Sequence, residues 1–207
     1  MSSHRGQTAL TVEYILLGIL GFGTGYSFEL ASLKRVAVVK PLLGAAAAIL
    51  LFYSMVTVCL DSARFWLPEW LQAIGWLLLP ASASLLLYSL FLELPFSSTY
   101  RAQGAGPRLV TTGTYALVRH PTVPWYVLML LSLLLVTRSE LLLLALPIWA
   151  FLDIAWAVLQ ERLLLGRVFP EYREYRRTTP MLVPNRRSLL ACLRSLRTQG
   201  RRVVQGR

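Results

Sequence analysis

The sequence predicts an all-α integral membrane protein with about five transmembrane helices and a cytoplasmic C-terminal helical segment. Composition is the first reason. Hydrophobic residues make up 56% of the 207 and charged residues 15%, with a mean hydropathy of +0.55, an apolar excess foreign to soluble domains of this length. The second is segmentation. Five apolar stretches, 9–27, 38–60, 71–92, 122–137 and 139–165, approach or exceed the length of about 20 residues that a helix needs to cross a bilayer. The third is where the basic residues fall. With the N-terminus outside and the C-terminus in the cytoplasm, the inner side receives Lys34, Arg35, Lys40, Arg101, Arg108, Arg119 and the twelve arginines from Arg162 onward. The outer side keeps Arg5, Arg64 and Arg138. That bias is the one basic loops show across a membrane. In a bacterium the expected location is the plasma membrane. The net charge of +11 is concentrated in the tail, which argues against nucleic acid as partner.

Residues 1–92 hold the first three predicted helices. "GFGTGYS" in the first resembles a phosphate-binding loop only superficially, because no strand precedes it. Gly21 and Gly25, at small-xxx-small spacing, and "GAAAA" at 44–48 suit close helix packing instead. The first helix lacks the flanks of a cleaved signal peptide. Pro80 interrupts the third helix, removing one backbone hydrogen bond. Cys59 and Cys192 have no metal-like spacing and are expected to be free thiols.

Residues 93–185 form the segment where chemistry is expected. A long polar connection, broken by Gly104, Gly106, Pro107 and Gly113, leads to Arg119-His120-Pro121-Thr122 at the mouth of the fourth helix. The fifth helix embeds Asp153, Gln160 and Glu161 in apolar sequence. On an ideal α-helix Asp153 and Gln160 differ by about 20° and Glu161 lies about 80° from Asp153, so the three share a broad face. A charge there costs roughly 3 kcal/mol and must face protein or a wet cavity. Either Glu161 marks the inner end of the span and pairs with a basic residue, or it belongs to a site. Tyr172 and Tyr175, three apart with arginines between them, fit an interfacial helix. Residues 186–207 read as a basic tail, amphipathic or disordered, suited to anionic headgroups.

The last hundred residues carry a two-part pattern. The first part is Leu109-Val110-Thr111, Gly113-Thr114-Tyr115 and Arg119-His120-Pro121-Thr122-Val123. The second is Gln160-Glu161, Leu164, Phe169 to Tyr172, and Tyr175, closing with Pro180 and Pro184. This arrangement, over roughly 105–185, resembles the membrane methyltransferases related to isoprenylcysteine carboxyl methyltransferase and the phospholipid methyltransferases. It departs from the family pattern at Val123, where tyrosine is usual, at Trp125, where glycine is usual, and at Gln160, where a first glutamate is usual. Trp156 stands where the carboxyl methyltransferases carry a substrate-associated arginine.

The resemblance implies S-adenosyl-L-methionine as methyl donor and a lipid or lipid-linked acceptor at the cytoplasmic face. It implies cofactor contacts from Arg108, Leu109, Val110, Tyr115, His120, Pro121, Thr122, Val123, Gln160, Glu161 and Tyr172, with Glu161 and Arg119 as candidate catalytic groups. No metal is expected. The departures leave a second reading open, a non-catalytic membrane scaffold or accessory protein with a degenerate cofactor site. A small transporter using Asp153 and Glu161 is disfavoured by the lack of paired repeats. A sterol-reductase-like relative using a nicotinamide cofactor shares a similar C-terminal architecture. The charge distribution generates a first prediction: a phosphatase fused after Arg64 is active outside the cell, and one fused after Arg187 is inactive. The reverse pattern would invert the topology.

Overall fold

The computed structural model describes residues 2–33, 39–94 and 109–205, with side-chain surroundings for 12–31, 39–94 and 109–197. Among the described residues the regular elements are helices, and one isolated bridge of extended backbone pairs Arg64 with Ser139. The helices are α1 (Ser2–Leu33), α2 (Val39–Leu60), α3 (Glu69–Leu87), α4 (Thr114–Leu117), α5 (Thr122–Thr137), α6 (Glu140–Gln160), α7 (Tyr172–Thr178) and α8 (Arg186–Gln205), with one further short helical turn at Gly166–Val168. Two of them widen at their C-terminal ends into π-helical turns, α3 over Tyr88–Glu93 and α6 over Glu161–Leu165. Four stretches are long and apolar enough to cross a membrane, Val12–Ala31, Val39–Leu60, Glu69–Glu93 and Glu140–Val168, and Thr122–Thr137 is a shorter apolar helix. This is an all-α membrane protein. Its spans leave Leu42, Ile49, Phe52, Leu77 and Phe151 uncovered by protein, which suits lipid tails as apolar as the side chains themselves. Trp66 and Trp70, exposed at the start of α3, fit the aromatic belt of a membrane–water boundary.

The chain divides into two compact units, Met1–Pro80 with Val127–Gln160, and Ala81–Tyr126 with Glu161–Arg207. In the first, α1 packs along α2 and touches α6. The small residues of α1 permit this. A Cβ at Gly18 would stand 2.5 Å from the Trp149 indole, one at Gly21 would stand 2.9 Å from Leu51 Cγ, and one at Gly25 would collide with Trp156. Trp149 is buried and its Nε1 donates to the Ile15 carbonyl at 3.4 Å. At the other end of α2, Ser139 caps α6. Its Oγ donates to the Val58 carbonyl (2.7 Å) and accepts from the Leu142 amide (3.1 Å). Arg138, at φ +56°, turns the chain between α5 and α6. Arg64 donates to the carbonyls of Cys59 and Thr137, closing the same corner.

The second unit gathers the end of the third apolar stretch, α4, the start of α5, the π-turn after α6, α7 and α8. α8 begins with a reciprocal cap: the Ser188 amide donates to Asn185 Oδ1 (2.9 Å) and the Asn185 amide to Ser188 Oγ (3.0 Å). The tail, read from sequence as amphipathic or disordered, is therefore helical from Arg186 to Gln205. Both cysteines are free, and Cys192 is buried.

Gly23 offers a control for the packing argument, because a Cβ there would meet nothing within 4 Å. We expect Gly25→Leu to lower stability by about 1–3 kcal/mol in thermal unfolding in detergent, while Gly23→Leu leaves the transition unchanged. Equal effects at both positions would refute close packing at Gly25.

Candidate functional site

The Arg119-His120-Pro121 turn is fixed before its side chains are considered. Val118 is fully buried with extended backbone (φ −147°, ψ 156°). The next two amides leave the helical pattern: Arg119 N–H donates to the Pro180 carbonyl (2.9 Å) and His120 N–H to that of Met181 (3.2 Å). Pro121, lacking an N–H, is fully buried ahead of α5, and Pro124 falls in the first turn, where a missing donor costs nothing.

Arg119 reaches from this turn to Glu161, the first residue of the π-turn. Its Nε donates to Oε1 at 2.7 Å and its Nη2 to Oε2 at 3.2 Å, a forked geometry that fits carboxylate well. The side chains are 8% and 7% exposed. Arg119 Nη1 donates to the carbonyls of Arg176 (3.0 Å) and Thr179 (2.7 Å). All three nitrogens of the guanidinium are thus engaged. A charge this buried is tolerated because its partner is present and four of its five N–H hydrogens are taken up by these bonds.

Two further groups surround Glu161. His120 is buried and its Nε2 lies 3.3 Å from Oε1, without the alignment of a hydrogen bond. Tyr172, at the start of α7, is 3% exposed. Burial, reinforced by the neighbouring Glu161 carboxylate, pushes its phenol above the usual tyrosine range, so it stays protonated. Both groups lie against the Glu161 carboxylate, and neither His120 Nε2 nor Tyr172 Oη makes a well-aligned hydrogen bond among the described residues. Tyr175 packs edge-on against Tyr172 (centroids 5.9 Å apart) and donates to the Tyr115 carbonyl at 2.5 Å, linking α7 to α4. Its phenol is also raised, first by burial, then by Tyr172 and Tyr115. Arg176 Nε stands 3.9 Å from Glu161 Oε2 on the exposed side.

The structure therefore brings Arg119, His120, Glu161 and Tyr172 to one place. Tyr115 and Val123 are buried, Leu109, Val110 and Thr122 are partly exposed, and Arg108 lies outside the described residues. Trp125, at a family glycine position, has a buried indole N–H without a partner among the described residues. Gln160 behaves differently from its neighbour. It belongs to the first unit, and its Nε2 donates to Glu29 Oε1 of α1 at 2.6 Å. Asp153 is in that unit too, with a buried Oδ2 lacking a partner among the described residues.

Glu29, Glu93 and Thr114 were not singled out by sequence reasoning as polar-network residues. Glu29 carries a readable signal, a carboxylate inside an apolar stretch. Glu93 does not: it closes the third span, where acids are ordinary. Its carboxylate accepts from the Thr114 amide (2.7 Å) and from the Thr114 hydroxyl. Gly113, at φ +63°, has no space for a Cβ, which would overlap Glu93 Oε1. The Gly113 amide donates to Ser195 Oγ of α8 at 2.9 Å.

Chemically, the centre offers a carboxylate already paired with a guanidinium, plus a phenol and an imidazole nitrogen held loosely against it. Buried polar groups without well-aligned bonds suit a small polar ligand group. No cluster able to hold a metal ion occurs among the described residues. A scan of protein-family models and searches of curated proteins and of solved structures return no match to this chain.

The ion pair gives a stability prediction. Glu161→Gln leaves Arg119 buried without its counter-charge, so stability falls by about 3–5 kcal/mol, whereas the double replacement Arg119→Met/Glu161→Leu recovers most of the loss. Denaturant unfolding of the three variants checks this, and a neutral single replacement would contradict the pairing.

Proposed function

We propose that this protein is a membrane-embedded S-adenosylmethionine-dependent methyltransferase acting on a lipid or lipid-linked acceptor. The observation that carries the proposal is convergence. Two stretches more than 40 positions apart in sequence, Arg119-His120 and Glu161 with Tyr172, meet around one carboxylate, with His120 Nε2 and the Tyr172 hydroxyl buried against it and without well-aligned hydrogen bonds among the described residues. These are the residues through which the chain resembles the isoprenylcysteine carboxyl methyltransferase group.

The fit can be judged on those atoms. A zwitterionic amino-acid end presents an ammonium and a carboxylate. In this reading His120 Nε2 and the Tyr172 hydroxyl hydrogen-bond such groups, and the Glu161 carboxylate faces the ammonium. Gln160 is committed to Glu29, so the proposed contacts are His120, Glu161 and Tyr172. When bound, S-adenosylmethionine supplies an electrophilic methyl on a sulfonium whose leaving group is a neutral thioether. The protein's part is alignment and exclusion of water. Arg119 positions Glu161 instead of meeting the acceptor, because its donors are spent on Glu161, Arg176 and Thr179. A carboxylate held bidentately by arginine is a poor proton acceptor. The reading therefore favours an acceptor that arrives anionic, a carboxylate or thiolate, over an amine or hydroxyl that must first lose a proton.

The saturation of Arg119 also favours the second reading, a non-catalytic scaffold in which this pair is a structural staple. Calorimetric titration of the detergent-purified chain with S-adenosylmethionine separates the two. The enzyme reading expects micromolar affinity, about 8 kcal/mol, weakened at least tenfold by His120→Ala and by Tyr172→Phe. Absence of heat at millimolar cofactor, with the protein folded, rejects the enzyme in favour of the scaffold.

A further inference from the structure

We propose that α8 lies on the membrane surface as an in-plane helix that binds anionic lipid headgroups. The inference is independent of methyl transfer. At about 100° per residue, the circumference of α8 falls into three arcs. Ser188, Cys192 and Ser195 occupy one arc of about 60°, where Ser188 and Cys192 are buried. Leu189, Leu193 and Leu196 fill the next arc, of about 60°, and they and Leu190 stay exposed. Arg186, Arg187, Arg194 and Arg197 occupy the next arc, of about 100°. α8 packs its small-residue face on α4 and leaves its leucines uncovered.

Water, a protein partner and a bilayer are the possible covers for that face, and two observations select the bilayer. The first is attachment. Ser195 accepts from the Gly113 amide, and the adjoining Thr114 amide donates to Glu93, the last residue of an apolar stretch long enough to cross a membrane. α8 is thereby pinned beside the end of a span, where headgroups begin. The second is charge order. A leucine arc bordered by arginines on one side and by the packed face on the other places the aliphatic side chains in the acyl boundary and lets the long guanidinium stems reach up to phosphates. With six arginines in twenty residues and no acid, α8 cannot itself span, and its charge complements an anionic leaflet.

Hydrogen exchange of the full chain in nanodiscs tests this. Phosphatidylcholine alone is compared with a mixture of phosphatidylcholine and phosphatidylglycerol. Amides of peptides covering α8 should exchange at least tenfold more slowly in the anionic discs, and high salt should erase the difference. Arg186→Gln/Arg187→Gln/Arg197→Gln, which leaves the Asn185–Ser188 cap and the packed face intact, should abolish the dependence on lipid charge. Leu189→Ser/Leu193→Ser should speed exchange in both kinds of disc. Equal exchange in the two compositions overturns the proposal. So does protection found solely in discs that hold two copies, which would assign the face to self-association.

Discussion

The second unit is organised by a single buried charge. Once Glu161 sits at the base of an apolar helix, its carboxylate needs a cation and further polar contacts, since an uncompensated charge there would cost several kcal/mol. Arg119 provides the cation, and to reach it the chain must leave α4, run extended through Val118 and turn at Pro121. The carbonyls of Arg176 and Thr179 take two more of the guanidinium's donors, which brings the end of α7 to the same place. Pro180 and Met181 then hold the turn by its backbone amides. Three chain segments thus meet around one ion pair.

A second polar knot serves the flank of that centre. Glu93, Thr114, Gly113 and Ser195 tie the end of the third apolar stretch to α4 and α8, and Tyr175 ties α7 to α4 through the Tyr115 carbonyl. α4 has four residues, too few to be stable alone, yet it is held from three directions. This is how a short, isolated helix comes to be the floor on which the Arg119 turn rests. The knot also explains why polar residues at a membrane boundary need not be catalytic. Glu93 caps a backbone, as Arg119 buttresses a carboxylate, and the groups held only loosely at the centre are His120 and Tyr172.

The spans were legible because an apolar run of span length admits few other structures. The short stretch at 122–137 was legible as helix for the same reason, as was the packing use of Gly21 and Gly25. The α8 cap could have been read from Asn185 and Ser188 at the spacing of a capping box. What composition hid was pairing across distance. Nothing local to Gln160 announces Glu29, and nothing near Glu93 announces Thr114. Gln160 and Glu161 were read as one functional pair on one helical face. They take different partners, Gln160 the Glu29 carboxylate and Glu161 the Arg119 guanidinium. The meeting of His120 with Glu161 was suggested by a resemblance in pattern, not by physics readable from either segment.

That wider turn has a consequence for how the chain tolerates change. Its hydrogen bonds close over five residues instead of four, so Glu161–Leu165 carries one residue more than an α-helical course requires. Deleting one residue from Arg162 to Leu165 would let the helix close normally and leave the chain beyond it nearly in register, because four α-helical residues sweep about the same angle as five π-helical ones. The constraint there is on the Glu161 carboxylate more than on the number of residues after it. The turn is where this helix can absorb a single-codon loss, while replacement of Glu161 alone strips Arg119 of its counter-charge.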